Sequence, residues 1–399
     1  MSKLEKLVVT KQYLDAENKW GQILNNGESL SILFPPVSDC QRRISQFISE
    51  HNNEFLFSEV NPLDLATEEL IDLEASLLIQ ARLLSEFKKF QSFESLIHHL
   101  DKNKRHLIIT CPLADFLFTQ KGKQYLSLIQ KIIFQYTPTL TCFLAFETDI
   151  IHPDNAELVR NYHMLFQHIG YYPLYSSTDT STFINYLCLK WEIKIKTKVK
   201  QEIIEKCGGY FWLVKEALRQ IRDNGSWEIN SESFQYRLQT IAQSLKESEY
   251  ITIAKILSKS RGFDDVQLHS RKYLQKIGLL DNKFNLTVPL LKDTIIKLGA
   301  SKRKLILIKN EIFLNQVPVS NFFSRKEFRI IKLLLSREGE TVTRDEIADV
   351  IWLMDVKEKY SEWAIDQLVK RLRNRLSELL IPKTVLRSVR GKGYCYVQS

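Results

Sequence analysis

Residues 360–397 read YSEWAIDQLVKRLRNRLSELLIPKTVLRSVRGKGYCYV and join a basic helical segment to a short segment typical of a β-hairpin. Apolar residues recur across 361–380 at the spacing that places them on one face of a helix. They are Ile365, Leu368, Val369, Leu372, Leu376 and Leu379. The pattern predicts an amphipathic helix over 361–380 whose apolar stripe faces a protein core.

The opposite face of this helix carries polar and basic side chains. They are Trp363, Gln367, Lys370, Arg371, Asn374 and Arg375. From Trp363 to Ser399 the chain has eight Lys or Arg residues and two acids, Asp366 and Glu378, so its local net charge is +6. The helix alone leaves two interpretations open: a solvated face, which accounts for most charge runs, or a surface that binds a polyanion.

A hairpin predicted over 385–397 favours the polyanion interpretation. Gly391 and Gly393 permit a tight turn, and Arg390 and Lys392 lie at its tip. A narrow tip with two cations suits the minor groove of DNA or its phosphates. We therefore interpret the helix as a recognition helix and the hairpin as a wing.

These residues resemble the OmpR/PhoB type of winged-helix DNA-binding domain. In that family a valine-aspartate pair precedes a basic L-R-x-x-L helix and a V-R-G-x-G-Y hairpin. The corresponding residues here are Ile365-Asp366, KRLRNRL over 370–376 and VRGKGY over 389–394. The resemblance covers 304–399, and it departs from the family pattern at Trp363 and Leu368, where the family often has Arg and His. The identity of the bases that are read stays open.

The resemblance implies a helix in the major groove of double-stranded DNA and a wing on the minor groove. The recognition-helix residues that it implies are Trp363, Gln367, Lys370, Arg371, Arg373 and Asn374. The wing residues that it implies are Arg387, Ser388, Arg390, Lys392 and Tyr394. By the same resemblance, the loop over 353–360 contacts RNA polymerase.

Local signals place the other elements of this domain. Short strands are predicted over 305–308, 311–314 and 317–319. Ser324 with Glu327, and Thr343 with Glu346, have the spacing of capping boxes, in which each side chain bonds the backbone of the other residue. Each box predicts the start of a helix, and the second of these helices would brace the recognition helix.

The whole chain has the composition of a globular, multidomain protein. Its 399 residues are more than one domain with a single compact core usually contains, and its net charge is +9. From Lys304 onward there are 18 Lys and Arg against 12 Asp and Glu, so +6 of that charge lies in the last quarter. The six cysteines are scattered singly and form no metal-ligand spacing with the eight histidines, which predicts a reducing, cytoplasmic location. No segment has the length of a membrane span or the apolar core of a signal peptide, so we expect no membrane partner.

The first 200 residues alternate apolar runs with amphipathic stretches, which predicts an α/β domain with a parallel sheet. The predicted strands are 29–34, 55–60, 106–111 and 140–146, and the predicted helices are 41–50, 70–87 and 124–135. A strand, a turn and a helix over 29–50 occupy the place of a phosphate-binding P-loop. The eight residues 34–41 read FPPVSDCQ and lack all four defining residues of G-x-x-x-x-G-K-[ST].

We therefore expect no ATP hydrolysis and no enzymatic activity. Asp39 would repel phosphate, and no lysine or hydroxyl stands where a P-loop holds phosphate and Mg²⁺. The chain shows no catalytic constellation of recognised spacing, no metal site and no cofactor motif. A phosphoacceptor receiver domain is not expected either, because the strand over 29–34 ends in prolines rather than acids.

The segment KCGGYFWLV over 206–214 resembles the G-G-x-P-x-x-L lid of STAND and related AAA+ ATPases, with Phe211 in place of the proline. An ordinary helix start is the alternative. Residues 250–296 repeat helix-turn-helix segments with a small hairpin near Asn282, and they resemble the winged-helix module that follows such a lid. A structural relay and a second DNA contact both remain open for this module.

Together these patterns predict a multidomain fold. It comprises a degenerate ATPase-like α/β domain over 1–200, a helical lid over 201–245, a winged-helix-like module over 246–300 and a winged helix-turn-helix domain of the α+β class over 304–399. The function that follows is a sequence-specific DNA-binding transcription regulator whose N-terminal part senses a signal or drives assembly. The alternative is a nucleotide-switched signalling protein that uses the winged helix as a protein-interaction platform. A homo-oligomer stays open.

Overall fold

The protein is described by a computed structural model over residues 11–60, 72–119, 122–257, 262–301, 304–314, 317–352, 362–379, 381 and 383–397. The chain divides into two compact units. Unit 1 contains Met1–Lys246 and Leu268–Leu290, and unit 2 contains Glu247–Gln267 and Leu291–Ser399. Residues 246–300 therefore contribute to both units.

Unit 1 is built on a five-stranded sheet in which every pairing is parallel. Its strands are β1 (Leu30–Leu33), β2 (Phe55–Glu59), β3 (His106–Cys111), β4 (Leu140–Phe146) and β5 (His168–Tyr171). Their order across the sheet is β2-β3-β4-β1-β5. The predicted α/β class is confirmed, as are four strands. The fifth strand, β5, was not predicted, because its residues are only half-buried and form no apolar run.

Helices pack against this sheet, as its buried strands require. In chain order they are α1 (Lys11–Asn25), α2 (Cys40–His51), α3 (Leu73–Ala81), α4 (Phe93–Lys102), α5 (Lys123–Tyr136) and α6 (Ala156–Asn161). The helix predicted over 70–87 is shorter in the structure, where α3 ends at Ala81. Arg82 Nε and Nη2 each donate a hydrogen bond to the Phe90 carbonyl oxygen, at 2.8 and 2.6 Å, and these bonds stabilise a turn after α3.

The chain continues through α7 (Ser177–Lys190), α8 (Thr197–Cys207), α9 (Phe211–Asn224) and α10 (Glu232–Gln243). Gly208 and Gly209 separate α8 from α9, as the sequence predicts. A Cβ on Gly209 would lie 2.2 Å from the carbonyl oxygen of Tyr175, so only glycine fits there. The glycine pair thus sets α9 against the segment that follows β5.

Three further helices are α11 (Glu247–Leu257), α12 (Asp265–Lys276) and α13 (Leu291–Ser301). The predicted small hairpin is present in unit 1 as a single antiparallel bridge between Leu280 and Leu286. The Asp281 carboxylate stabilises its turn by accepting bonds from the N–H groups of Lys283 and Asn285, at 2.7 and 2.8 Å.

The rest of unit 2 is a winged helix-turn-helix domain. Three antiparallel strands come first: β6 (Leu305–Ile308), β7 (Glu311–Leu314) and β8 (Val317–Pro318). Helices and a second antiparallel sheet follow: α14 (Arg325–Ser336), β9 (Thr341–Thr343), α15 (Arg344–Trp352), α16 (Glu362–Glu378), β10 (Leu386–Val389) and β11 (Gly393–Tyr396). One cluster of buried residues, all between Leu305 and Tyr396, forms its core. The predicted strands, helices and hairpin of this domain are confirmed.

Because every described residue of that core lies between Leu305 and Tyr396, we predict that the segment 304–399 folds when it is produced alone. Circular dichroism should show helical signal and one cooperative thermal transition. Leu372→Ala removes a fully buried side chain and should cost roughly 2–5 kcal/mol of unfolding free energy. Its matched control, Lys370→Ala on the exposed face, should change it by less than about 0.5 kcal/mol. A segment without cooperative unfolding would contradict the domain boundary.

Candidate functional site

Helix α16 places its two faces as the sequence predicts. Its apolar stripe is the centre of the domain core: Ile365, Val369, Leu372 and Leu376 are fully buried, while Leu379 is nearly so and Leu368 is partly buried. These side chains pack against α14 and α15, which hold α16 in a fixed orientation. The opposite face is therefore presented to solvent on a rigid support.

Five of the predicted site residues lie along this outer face. Trp363 is 71% exposed, Lys370, Arg371 and Asn374 are exposed, and Gln367 is half-buried. Their spacings of three, four and seven residues place them on one side of the helix. Asn374 accepts a hydrogen bond from Lys383 Nζ at 2.8 Å. The outer face thus forms a polar and cationic stripe that begins with one aromatic ring.

The wing is the two-stranded hairpin β10-β11, in which Val389 pairs with Gly393. Arg390 and Lys392 are exposed at its tip, and Gly391 between them has φ +71, a left-handed conformation that favours glycine. Gly393 is required for a different reason. A Cβ there would lie 2.0 Å from the Val342 carbonyl oxygen in the neighbouring strand β9.

Arg373 connects the helix to the wing instead of extending from the outer face. Its Nε donates to the Leu386 carbonyl oxygen at 2.9 Å, and its Nη2 donates to Ser388 Oγ at 2.8 Å. Two bonds from one planar guanidinium fix both distance and angle. Arg373 and Ser388, both predicted to contact DNA, are thus engaged with each other in this structure.

Tyr394 lies inside the domain and is only 3% exposed. Its hydroxyl donates to the Asp366 carboxylate, which also accepts from Arg344 Nη2 at 3.3 Å. Burial, followed by the neighbouring Asp366 carboxylate, raises the pKa of Tyr394 to about 12. This predicted wing residue therefore links β11 to the first turns of α16, away from the surface that its neighbours form.

Five exposed cations of the helix and wing lack an acidic partner among the described residues. Lys370, Arg371, Arg387, Arg390 and Lys392 form no ion pair with any described residue. Unpaired cations gathered on one surface favour the binding of a polyanion, because its phosphates replace the missing counter-charges. Sequence analysis identified all five.

Capping boxes fix the starts of the supporting helices. Ser324 and Glu327 bond each other's backbone N–H groups at the start of α14. At the start of α15, the Thr343 N–H donates to Glu346 at 2.8 Å and the Glu346 N–H donates to Thr343 Oγ1 at 3.2 Å. Both boxes are confirmed. The loop predicted to contact RNA polymerase, 353–360, lies outside the described residues.

The loop between β1 and α2 has the position but not the chemistry of a phosphate-binding loop. Val37 adopts φ +53, so the N–H groups of Val37 and Ser38 point in one direction and form a small anion seat. The Glu147 carboxylate, which follows β4, occupies it: the N–H groups of Val37 and Ser38 donate to its two oxygens at 3.0 and 3.2 Å. Cys40 Sγ lies 3.3 Å from the same carboxylate.

Asp115 holds Glu147 in place and is a second acid at this loop. Its carboxylate accepts bonds from the N–H groups of Glu147 and Thr148, at 2.9 and 3.0 Å. Burial, and to a smaller extent the charge of nearby Asp115, raise the pKa of Glu147 to about 7. No sequence spacing could have identified Glu147, which lies 110 positions after Val37.

No group of three or more His, Cys, Asp or Glu side chains within the described residues could hold a metal ion. No helix among them is long and apolar enough to cross a membrane.

Comparison with known sequences agrees with the structure of the C-terminal domain. Residues 321–396 match the family model described as "Transcriptional regulatory protein, C terminal". The transcriptional regulatory protein HprR of Escherichia coli (strain K12) is 33% identical over 79 residues, which are 20% of this chain and 34% of HprR. The heme response regulator HssR of Staphylococcus aureus (strain Newman) is 35% identical over 91 residues, which are 22% of this chain and 39% of HssR. The chain thus spans about a third of the length of the curated relatives it matches.

Comparison with solved structures matches longer parts of the chain. A Walker-type ATPase of Pyrococcus abyssi, paby2304, is 12% identical, with 73% of this chain and 99% of that one covered at a TM-score of 0.49. Cdc6p from Pyrobaculum aerophilum is 12% identical, with 84% and 95% covered at a TM-score of 0.37.

The Glu147 carboxyl should make stability depend on pH. Its folded pKa is about 7 against an ordinary value of 4.5, so between these pH values the folded state keeps a proton that the unfolded state releases. The free energy of unfolding should therefore fall as pH rises through this window. Glu147→Gln removes the titration. Across this window the free energy of unfolding of the unaltered protein should therefore fall by roughly 2–3 kcal/mol more than that of the variant.

Urea unfolding of both proteins at several pH values measures this slope. Glu94→Gln, which removes an exposed carboxyl from α4, is the matched control. Equal pH dependence in Glu147→Gln and in the unaltered protein would show that this carboxyl is not held as described.

Proposed function

We propose that the protein is a sequence-specific DNA-binding transcription regulator. The observation that carries the proposal is the set of unpaired cations that α16 and the β10-β11 wing expose on one domain, in a segment that matches a transcriptional-regulator family model. Helix α16 enters the major groove, and the wing contacts the minor groove or its phosphates.

The proposed readout assigns roles according to position on the helix. Gln367 and Arg371 are four residues apart on the outer face, so both can point into one groove. Arg371 can bond the two acceptors of a guanine, and Gln367 can bond an adenine edge. Trp363 presents an apolar ring that can contact a thymine methyl group. Lys370 and Asn374 are assigned to flanking base edges or phosphates.

The wing residues set affinity more than sequence preference. Arg387, Arg390 and Lys392 are exposed and can each contact a phosphate, which carries no sequence information. Arg373 is assigned to positioning, because its bonds to Leu386 and Ser388 hold the wing at a fixed angle to the helix. Tyr394 supports the same junction from inside the domain.

The N-terminal part senses a signal or drives assembly without hydrolysing ATP. The proposed domains of the chain are an α/β domain over 1–200, a lid over 201–245, a small winged-helix-like module over 246–300 and the DNA-binding domain over 304–399. RNA polymerase, through 353–360, and a second copy of the chain are further proposed partners, and the proposed location is the cytoplasm.

The rival function is a nucleotide-switched signalling protein with the winged helix as a protein platform. A nucleotide switch needs backbone N–H groups free to hold phosphate. Those of Val37 and Ser38 are bonded to Glu147, and Asp39 stands beside them. These contacts favour the DNA-binding regulator without hydrolysis.

Arg371→Ala should relax sequence preference. Loss of a bidentate contact to guanine should cost roughly 1–3 kcal/mol on the preferred site and remove discrimination at one base position. The measurement is titration of the full chain against a DNA site enriched from random sequences and against a scrambled version. Arg325→Ala, an exposed arginine on α14, is the matched control. Unchanged affinity and preference in Arg371→Ala would exclude α16 as the recognition helix and favour the protein platform.

Arg390→Ala and Lys392→Ala should weaken binding to the selected and scrambled sites by the same factor. Each removes one phosphate contact, so the slope of log affinity against log salt should become shallower by about one. Arg373→Ala should also weaken both sites, through a displaced wing. Binding measured at several salt concentrations separates these effects from those of Arg371→Ala, and an unchanged slope in both tip variants would place the wing away from DNA.

A further inference from the structure

A cavity of about 270 Å³ lies in unit 1 at the carboxyl ends of β1 and β5. It is lined by Phe34 after β1, by Tyr172 and Tyr175 after β5, and by the start of α9. Strands β1 and β5 are neighbours in the sheet, so the segments that follow them lie side by side. Open α/β sheets bind ligands in crevices outside the carboxyl ends of their strands.

Aromatic rings form the walls of this cavity. Phe211 stacks on Tyr175 at 3.9 Å between ring centroids and on Phe183 at 4.0 Å, with interplanar angles of 8° and 12°. Trp212, half-buried, also lines the cavity. Rings stacked at these distances already touch and leave no room between them, so a flat apolar molecule would lie along the edges of the stack and beside Trp212.

Cations line the outer part of the cavity. Arg42 and Lys215 are exposed, and neither forms an ion pair with a described residue. Burial, and then the charges of Arg219 and Arg42, lower the pKa of Lys215. The acid in the lining, Asp39, accepts bonds from the Tyr175 hydroxyl at 3.0 and 3.1 Å. The cavity therefore has an excess of positive charge at its opening.

A polar group within the lining also lacks a protein partner. The Ser38 hydroxyl oxygen is buried and forms no hydrogen bond with any described residue. Buried polar atoms are nearly always bonded, so an unsatisfied hydroxyl in a cavity wall points to an absent bonding partner such as a ligand. Ser38 thus adds a third polar contact to those of Arg42 and Lys215.

The same loop excludes a polyphosphate. Its N–H groups at Val37 and Ser38 are bonded to Glu147, and Asp115 is a second acid beside that carboxyl group. A chain of phosphates would approach two acids and find no free backbone donors there. A single small acid group near Arg42 and Lys215 avoids this repulsion.

We propose that this cavity binds a flat aromatic carboxylate of one or two rings, with the ring against Tyr175, Phe211 and Trp212 and the carboxylate at Arg42 and Lys215. The size agrees, because an apolar cavity of about 150 Å³ holds benzene, and this one is larger. The proposal goes beyond DNA binding, and its test requires no DNA.

Calorimetric titration of the full chain with 2-naphthoate tests the proposal. We expect one site for 2-naphthoate. Two comparison ligands should each bind at least about tenfold more weakly: 2-naphthol, which has the rings but no carboxylate, and cyclohexanecarboxylate, which has the carboxylate but no aromatic ring. Arg42→Gln and Lys215→Gln should each weaken 2-naphthoate by about tenfold, equivalent to about 1.4 kcal/mol. Lys198→Gln, an exposed lysine on α8 outside the cavity, is the matched control and should bind as the unaltered protein does.

Specific outcomes would overturn the proposal. The proposal is wrong if 2-naphthoate does not bind at millimolar concentration, or if 2-naphthol binds with equal affinity. It is also wrong if Arg42→Gln and Lys215→Gln bind 2-naphthoate as tightly as Lys198→Gln does. Tight binding of ATP, or of adenosine in preference to 2-naphthoate, would assign the cavity to a nucleotide or nucleoside instead. Trp212→Leu gives a second check, because loss of ring contact should weaken 2-naphthoate while cyclohexanecarboxylate changes little.

Discussion

The bond between the Glu147 carboxylate and the N–H groups of Val37 and Ser38 determines what unit 1 can bind. Backbone donors that converge in a turn require an anion, and a phosphate-binding loop leaves them free for its ligand. Here the chain supplies that anion from the end of β4, 110 positions later in the sequence. The contact also stabilises Val37 in a left-handed conformation that a β-branched residue rarely adopts. The Val37 and Ser38 N–H groups are consequently not free for a phosphate, and the neighbouring cavity offers aromatic and cationic side chains together with Ser38 and Asp39.

A comparable constraint operates in the DNA-binding domain. Helix α16 can present a cationic outer face because its other face is buried against α14 and α15. The wing, in turn, keeps a fixed angle to α16 because Arg373 bonds Leu386 and Ser388 while Asp366 bonds Tyr394. The charged surface is thus rigid, which reduces the ordering that binding would otherwise require.

The sequence predicted those parts of the structure in which the deciding interactions are local. The α16 stripe, both capping boxes and the β10-β11 hairpin depend on residues a few positions apart, so periodicity and turn chemistry identify them. Strand β5 was not predicted, because its residues His168–Tyr171 are half-buried and are held in strand conformation by pairing with β1. The role of Glu147 and the inward position of Tyr394 were not predicted either, because each depends on a partner that only the folded chain brings near. Side-chain type indicated the charge of Arg373, whereas its role followed from the position of the wing.

Linkage sets the size of any effect that a ligand in unit 1 has on DNA binding. A ligand shifts an equilibrium only by the difference between its affinities for the two states. A tenfold change in DNA affinity therefore needs about 1.4 kcal/mol of difference in ligand binding between the DNA-bound and free forms. One hydrogen bond to a charged group, of the kind Arg42 or Lys215 offers at the cavity opening, contributes about that much. A single cation contact that differs between the two forms is thus enough for regulation of this size, and no hydrolysis of ATP is needed for it.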